Sequence, residues 1–178
     1  GDGGIAAYGT VMYVVMIFFS IFMGYSVGSA PIIAYNFGAQ NKSELKNLFK
    51  KSLVITAAFG ISMTVLSEAL AYPFIKIFGY DGELFDMTLR GFRIYAPAFL
   101  IAGFSYFGSS MFTALNNGLV SGIISFLRTL VFQVVAVLTV PLVLGLDGVW
   151  SATCFAEIAS LAITVIFIIA FRKRYGYI

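Results

Sequence analysis

Residues 3–41 read GGIAAYGTVMYVVMIFFSIFMGYSVGSAPIIAYNFGAQN, a run without one charged side chain. A helix crosses about 30 Å of hydrocarbon with roughly 20 apolar residues, so this run is long enough to span a bilayer and to tilt, kink or pass the interface. Its middle, from Val11 to Phe22, shows no alternation of polar and apolar positions, which a membrane β-barrel strand requires. Backbone groups in lipid must pair internally, so the run reads as a helix. The whole chain agrees: of 178 residues, 60% are hydrophobic and 11% charged, and the mean hydropathy is +0.96. A soluble domain carries about a quarter charged residues, and there are too few polar side chains here to coat one. Abundant Phe, Val, Ile and Leu argue against disorder. A lone cysteine, Cys154, rules out a disulfide framework.

Working outward, charge and turn residues divide the chain into five spans: approximately Ile5 to Phe37, Leu48 to Ile75, Arg93 to Asn116, Leu119 to Leu144, and Val149 to Phe171. Asn116-Asn117-Gly118 and Gly145-Leu146-Asp147-Gly148 carry the residues that favour left-handed and turn conformations, and they separate the last three spans. The expected fold class is therefore all-α, a polytopic membrane helical bundle in one transmembrane domain over residues 1–178. The chain opens on Gly1 without the basic, apolar and small-residue order of a signal peptide, which reads as an internal start in something longer.

Two basic clusters orient the bundle. Lys42, Lys46, Lys50 and Lys51 follow the first span, and Arg172, Lys173 and Arg174 follow the fifth. Four spans lie between the clusters, so both fall on one side, and the excess of Lys and Arg marks that side as cytoplasmic. The C-terminus is expected there, with the chain in the cell membrane and the connection from Lys76 to Arg93 outside. The net charge of +3 is thus a matter of topology and does not suggest nucleic acid; a second use of the lysines is to meet anionic lipid headgroups.

A charge near the bilayer centre costs at least about 2.5 kcal/mol, so Arg128 and Glu157 should face protein. Arg128 lies roughly 15 Å from the cytoplasmic start of the fourth span and Glu157 roughly 20 Å from the cytoplasmic end of the fifth. Similar depths on antiparallel neighbours predict a buried ion pair. Ser121, Ser125 and Arg128, and likewise Thr153, Glu157, Ser160 and Thr164, recur at spacings of three and four and mark inward faces. Such faces serve either as contact between helices or as the lining of a substrate or proton path. Glu68 and Arg93 form a second expected pair near the outer surface. Gly24, Gly28 and Pro31, followed by Asn36 and Gly38, suit either close packing around a kink or a helix that bends during transport. Tyr8, Tyr13, Tyr25, Tyr35, Tyr95 and Tyr106 fit a cavity for aromatic cations, helix contacts or interfacial belts.

Soluble-enzyme chemistry has little to work with. Without histidine there is no Ser-His-Asp triad and no His-based zinc site, one cysteine makes no metal cluster, and no P-loop pattern occurs. No catalytic residue, metal or cofactor is expected, and Cys154 reads as packing.

Gly24-Tyr25-Ser26-Val27-Gly28-Ser29-Ala30-Pro31, leading to Tyr35-Asn36-Phe37-Gly38-Ala39-Gln40-Asn41, resembles the second helix of the C-terminal half of MATE (multidrug and toxic compound extrusion) transporters. Ile77 to Leu84 is similar to the family's external segment, Ser125-Phe126-Leu127-Arg128 to its eleventh helix, and Gly145 to Trp150 to the turn into its twelfth. The order and spacing match across essentially the whole chain. The resemblance implies helices 8 to 12 of a twelve-helix fold, with the N-terminal lobe and the first helix of the C-terminal lobe missing as partners. It implies export of organic, often cationic, compounds in exchange for H⁺ or Na⁺. The acidic residues often tied to coupling sit on helices absent here, and the position where some members place a coupling Asp holds Ser105. That leaves Glu157, Arg128, Ser125, Ser160 and Thr164 as candidates for an ion or substrate path. Two other readings are a flippase for lipid-linked oligosaccharides, which cationic cavities would favour, and a membrane assembly module that carries no solute.

Overall fold

The computed structural model describes residues 2–178. Helix α1 runs Asp2–Gly38 and α2 Lys42–Ile77. The link between them is tight: Gln40 takes a left-handed φ of 54°, and the Asn41 side chain accepts the Glu44 N–H at 3.1 Å, capping α2. Helix α3 (Gly82–Tyr95) and α4 (Pro97–Ala114) follow, then α5 (Gly118–Phe126), a π-helical segment (Leu127–Phe132) and α6 (Gln133–Tyr175). Among the described residues there is no strand.

The boundaries differ from the sequence reading in two places. The expected external connection from Lys76 to Arg93 is mostly α3, whose buried Thr88, Gly91, Phe92 and Tyr95 fall on one face. Its charged residues made it look like a loop, but they occupy the other face of an amphipathic helix. Helix α3 ends where Pro97, lacking an N–H, starts α4. At the turn before α3, Lys76 pairs with Asp81, and the hydrogen bond raises the lysine pKa above its ordinary value. In the second place, the reversal expected over residues 145–148 is concentrated at Gly145, whose φ of 59° and ψ of −133° need a residue without a side chain. Arms 133–144 and 146–175 of α6 then run antiparallel, and Gly148 is so close to the first arm that a Cβ there would stand 2.6 Å from Pro141 Cα.

Three helical stretches are long and apolar enough to cross a membrane: Gly3–Gly38, Lys42–Ile77, and Gly118–Tyr175. The last is folded back at Gly145 and supplies two crossings. Helix α4, of 18 residues, stands where the third span is expected. It lies against α1, α2, α5 and α6, and its buried Phe99, Phe107 and Phe112 fill the centre. Many large apolar side chains, including Ile5, Met16, Val54, Leu138 and Leu142, are exposed on the outside. In a bilayer this is the lipid-facing surface.

Candidate functional site: a hydroxyl-lined cleft at Arg128 and Glu157

The two charges within the apolar part of the last two spans meet. Arg128 Nη2 donates to Glu157 Oε1 at 2.8 Å, and Nε donates to Oε2 at 3.2 Å. Glu157 is 3% exposed and the Arg128 side chain 12%. Removal of two charges from water is costly and is offset only when geometry and hydrogen bonding are good, as in this forked arrangement. The guanidinium also lies over the Tyr106 ring, 3.7 Å from its centroid, with Phe19 5.8 Å away. One turn along the same pair of helices, Gln133 Nε2 donates to Thr153 Oγ1 at 3.1 Å.

The local backbone explains this placement. Arg128 sits in the π-helical segment, where each turn holds more residues than in an α-helix, and such turns are frequent at functional sites. Helix α4 supplies the opposing wall. Its Ser105, Ser109 and Thr113 fall four residues apart, and Ser109 Oγ lies 2.7 Å from Ser125 Oγ and 3.0 Å from Ser121 Oγ. Thr113 Oγ1 joins Ser121 Oγ at 2.6 Å, and Ser110 Oγ donates to Ser26 O at 2.7 Å.

Arg128, Tyr106 and Thr129 divide two clefts. One, of about 580 Å³, runs between α1, α4, α5 and the π segment, with a wall of Ser105, Ser109, Ser110, Thr113, Ser121 and Ser125. The Ser26 and Ser105 Oγ atoms are buried without a hydrogen-bond partner. The other, of about 260 Å³, carries Glu157 together with Tyr8, Phe19, Tyr95 and Tyr106. Among the described residues no group of three His, Cys, Asp or Glu converges on one point.

The remaining sequence candidates divide between the larger cleft and the packed interior. Ser125 lines the larger cleft, whereas Ser160 and Thr164 line neither. Thr164 is fully buried against α4, where a Cβ at Gly108 would come 2.3 Å from its Cγ2, and its hydroxyl donates back to Ser160 O at 2.8 Å. Helix α1 passes through Pro31 without interruption. A Cβ at Gly24, Gly28 or Gly38 would meet nothing within 4 Å, so this face of α1 is open. Asn36 is buried and donates to Ile32 O. Of the tyrosines, Tyr13 and Tyr35 are exposed and Tyr25 donates to Ser52 Oγ. Glu68 and Arg93 approach to 3.7 Å at the surface. Sequence reasoning named Tyr106 among the candidate cavity tyrosines and missed Ser109, Ser110 and Thr113. The four-residue recurrence of Ser105, Ser109 and Thr113 was the available signal, but it lay in a span without an internal charge to draw notice.

The sequence and the fold resemble those of known proteins. The chain is 27% identical over 176 residues to the multidrug export protein MepA of Staphylococcus haemolyticus, covering 98% of this chain and 38% of that protein. It is 30% identical over 169 residues to MepA of Staphylococcus saprophyticus, covering 93% and 37%. The bent form of the Vibrio cholerae MATE transporter VcmN superposes with a TM-score of 0.86 at 17% identity, over 99% of this chain and 41% of that one. The chain thus spans about two fifths of the length of these relatives. With the MatE family model matching residues 1–139, a stretch that includes α4, the hydroxyl wall and Arg128, the chain belongs to the MatE family.

Proposed function

We propose that this chain is part of the C-terminal lobe of a secondary active multidrug exporter, which moves organic and often cationic compounds out of the cell by antiport with H⁺ or Na⁺. The observation that carries the reading is the pair of clefts at Arg128 in the bundle. A module that only holds helices together would close such a space, because every unfilled volume forfeits packing. The aromatic wall of Tyr8, Phe19, Tyr95 and Tyr106 beside Glu157 suits flat cationic compounds. The flippase reading wants free cations for phosphate groups; Arg128 is already neutralised by Glu157, which supports the exporter over it. The C-terminus is cytoplasmic in this proposal, since Lys42 and the end of α6 lie together at the basic end. A fluorescent or phosphatase reporter fused after α6 checks that orientation.

Ethidium efflux from cells expressing the whole protein, wild type against Glu157→Gln at equal membrane abundance, tests the function. Export by the wild type and its loss in the variant support the reading. Absence of export across several cationic dyes, under both a proton and a sodium gradient, overturns it. Collapsing each gradient in turn identifies the coupling ion.

A further inference from the structure

A separate cleft of about 330 Å³ lies at the basic end of the bundle, where α1 ends, α2 begins and α6 finishes. Its wall includes Asn36, Gln40, Asn41, Lys42, Arg174 and Tyr175. Both charged groups on that wall are cations, and neither forms an ion pair among the described residues. The nearest acid in sequence, Glu44, accepts hydrogen bonds from Asn47 Nδ2 at both carboxylate oxygens. Both cations have their stems or faces set by neighbours. The Lys42 stem runs along Gly176, where a Cβ would come 3.2 Å from Lys42 Cδ. The Arg174 guanidinium carbon lies 5.5 Å from the Tyr175 ring centroid and 5.9 Å from that of Phe171.

The uncharged side chains add donors. Asn41 uses its carbonyl oxygen to cap α2, which leaves its amide hydrogens free, and Gln40 is exposed beside it. Lys46, Arg172 and Lys173 extend the positive field around the opening. Depth supplies the other half of the argument. The cleft lies where the uncharged run of α1 gives way to the lysine cluster, and exposed Ile32 and Tyr35 precede it on α1. Apolar surface meeting two cations at the end of transmembrane helices matches the boundary between acyl chains and headgroups.

We infer that this cleft binds the phosphate of an anionic phospholipid headgroup, with Lys42 and Arg174 as its charge partners and the Gln40 and Asn41 amides as further donors. The inference rests on the membrane placement of the bundle and not on drug export, so failure of the efflux assay leaves it standing. Arg174, in the last turn of α6, also complements that helix's dipole, a role that needs no lipid, whereas Lys42 opens α2 and gains nothing from its dipole; the experiment separates the two roles.

The whole protein is purified in detergent from membranes containing phosphatidylglycerol and phosphatidylcholine and weighed by native mass spectrometry. The wild type is expected to retain one phosphatidylglycerol, and Lys42→Gln with Arg174→Gln to retain about tenfold less. Lys46→Gln with Lys173→Gln makes the same charge change outside the cleft and is expected to keep the lipid. So is Lys42→Arg with Arg174→Lys, which preserves both charges. Equal loss from the two neutralised pairs would reveal a diffuse field rather than a site and overturn the inference. Retention of phosphatidylcholine as readily, or displacement of the lipid by millimolar inorganic phosphate, would overturn it as well.

Discussion

A single carboxylate and a single guanidinium carry the polar chemistry at the heart of this bundle, and their value depends on each other. Breaking a buried pair by removing one partner costs about 3–5 kcal/mol, because the survivor is left charged and uncompensated. Arg128→Glu alone and Glu157→Arg alone should therefore lower the folded, membrane-inserted fraction sharply, and the double exchange should recover part of it. Thermal unfolding in detergent measures this; a double variant no better than either single would show that the pair does not act as a unit. Gly108 is the apolar counterpart. A Cβ there would stand 2.3 Å from Thr164 Cγ2, so Gly108→Val is expected to lower stability by about 1–3 kcal/mol through overpacking, read as a fall in Tm. The Arg128–Glu157 meeting was legible in the sequence because depth along two helices is arithmetic. The packing of Thr164 on Gly108 was not, since spacing places a hydroxyl on an inward face without saying whether that face meets another helix or a cavity.

Elements show the same contrast between what periodicity reveals and what contacts decide. Asn116-Asn117-Gly118 forms the expected turn, with Asn116 at a φ of 58° and the Asn117 side chain accepting the Val120 N–H at 3.3 Å. Helix α3 was hidden because Glu83, Asp86, Arg90 and Arg93 fall within 14 residues, in a chain where charge otherwise marks the ends of helices. The π-helical segment leaves no mark in sequence, since it differs from an α-helix only in hydrogen-bond register. At Gly145 the two arms of α6 reverse on one residue, and the backbone there lies where side chains are strained. Gly145→Ala should cost about 1–3 kcal/mol and loosen the hairpin that brings Gln133 to Thr153 and Arg128 to Glu157. Hydrogen exchange along the arms of α6 is the measurement, with faster exchange expected there than in α2.

At the scale of the molecule, α4 is the axis around which the other helices are set, and the clefts lie along its hydroxyl face. Water should therefore reach some inward positions and not others. In a Cys154→Ala background, Ser125→Cys should react with a water-soluble thiol reagent, whereas Thr164→Cys should resist it. Equal protection of both would mean that the larger cleft is closed in the membrane. The basic clusters at one end, the open glycine face of α1 and the coverage of about two fifths of the relatives describe a bundle with one side free.

The wall of serines and threonines has a further consequence. A hydroxyl changes from donor to acceptor by rotation about one bond, and the contacts among Ser109, Ser121, Ser125 and Thr113 can each run in either direction. In the exporter proposed above, such a surface would re-address itself to each guest by turning rotors, without moving the backbone or committing to a charge. Breadth of recognition would then come from the interchangeability of its hydrogen bonds, while the fixed fork between Arg128 and Glu157 keeps the frame around them constant.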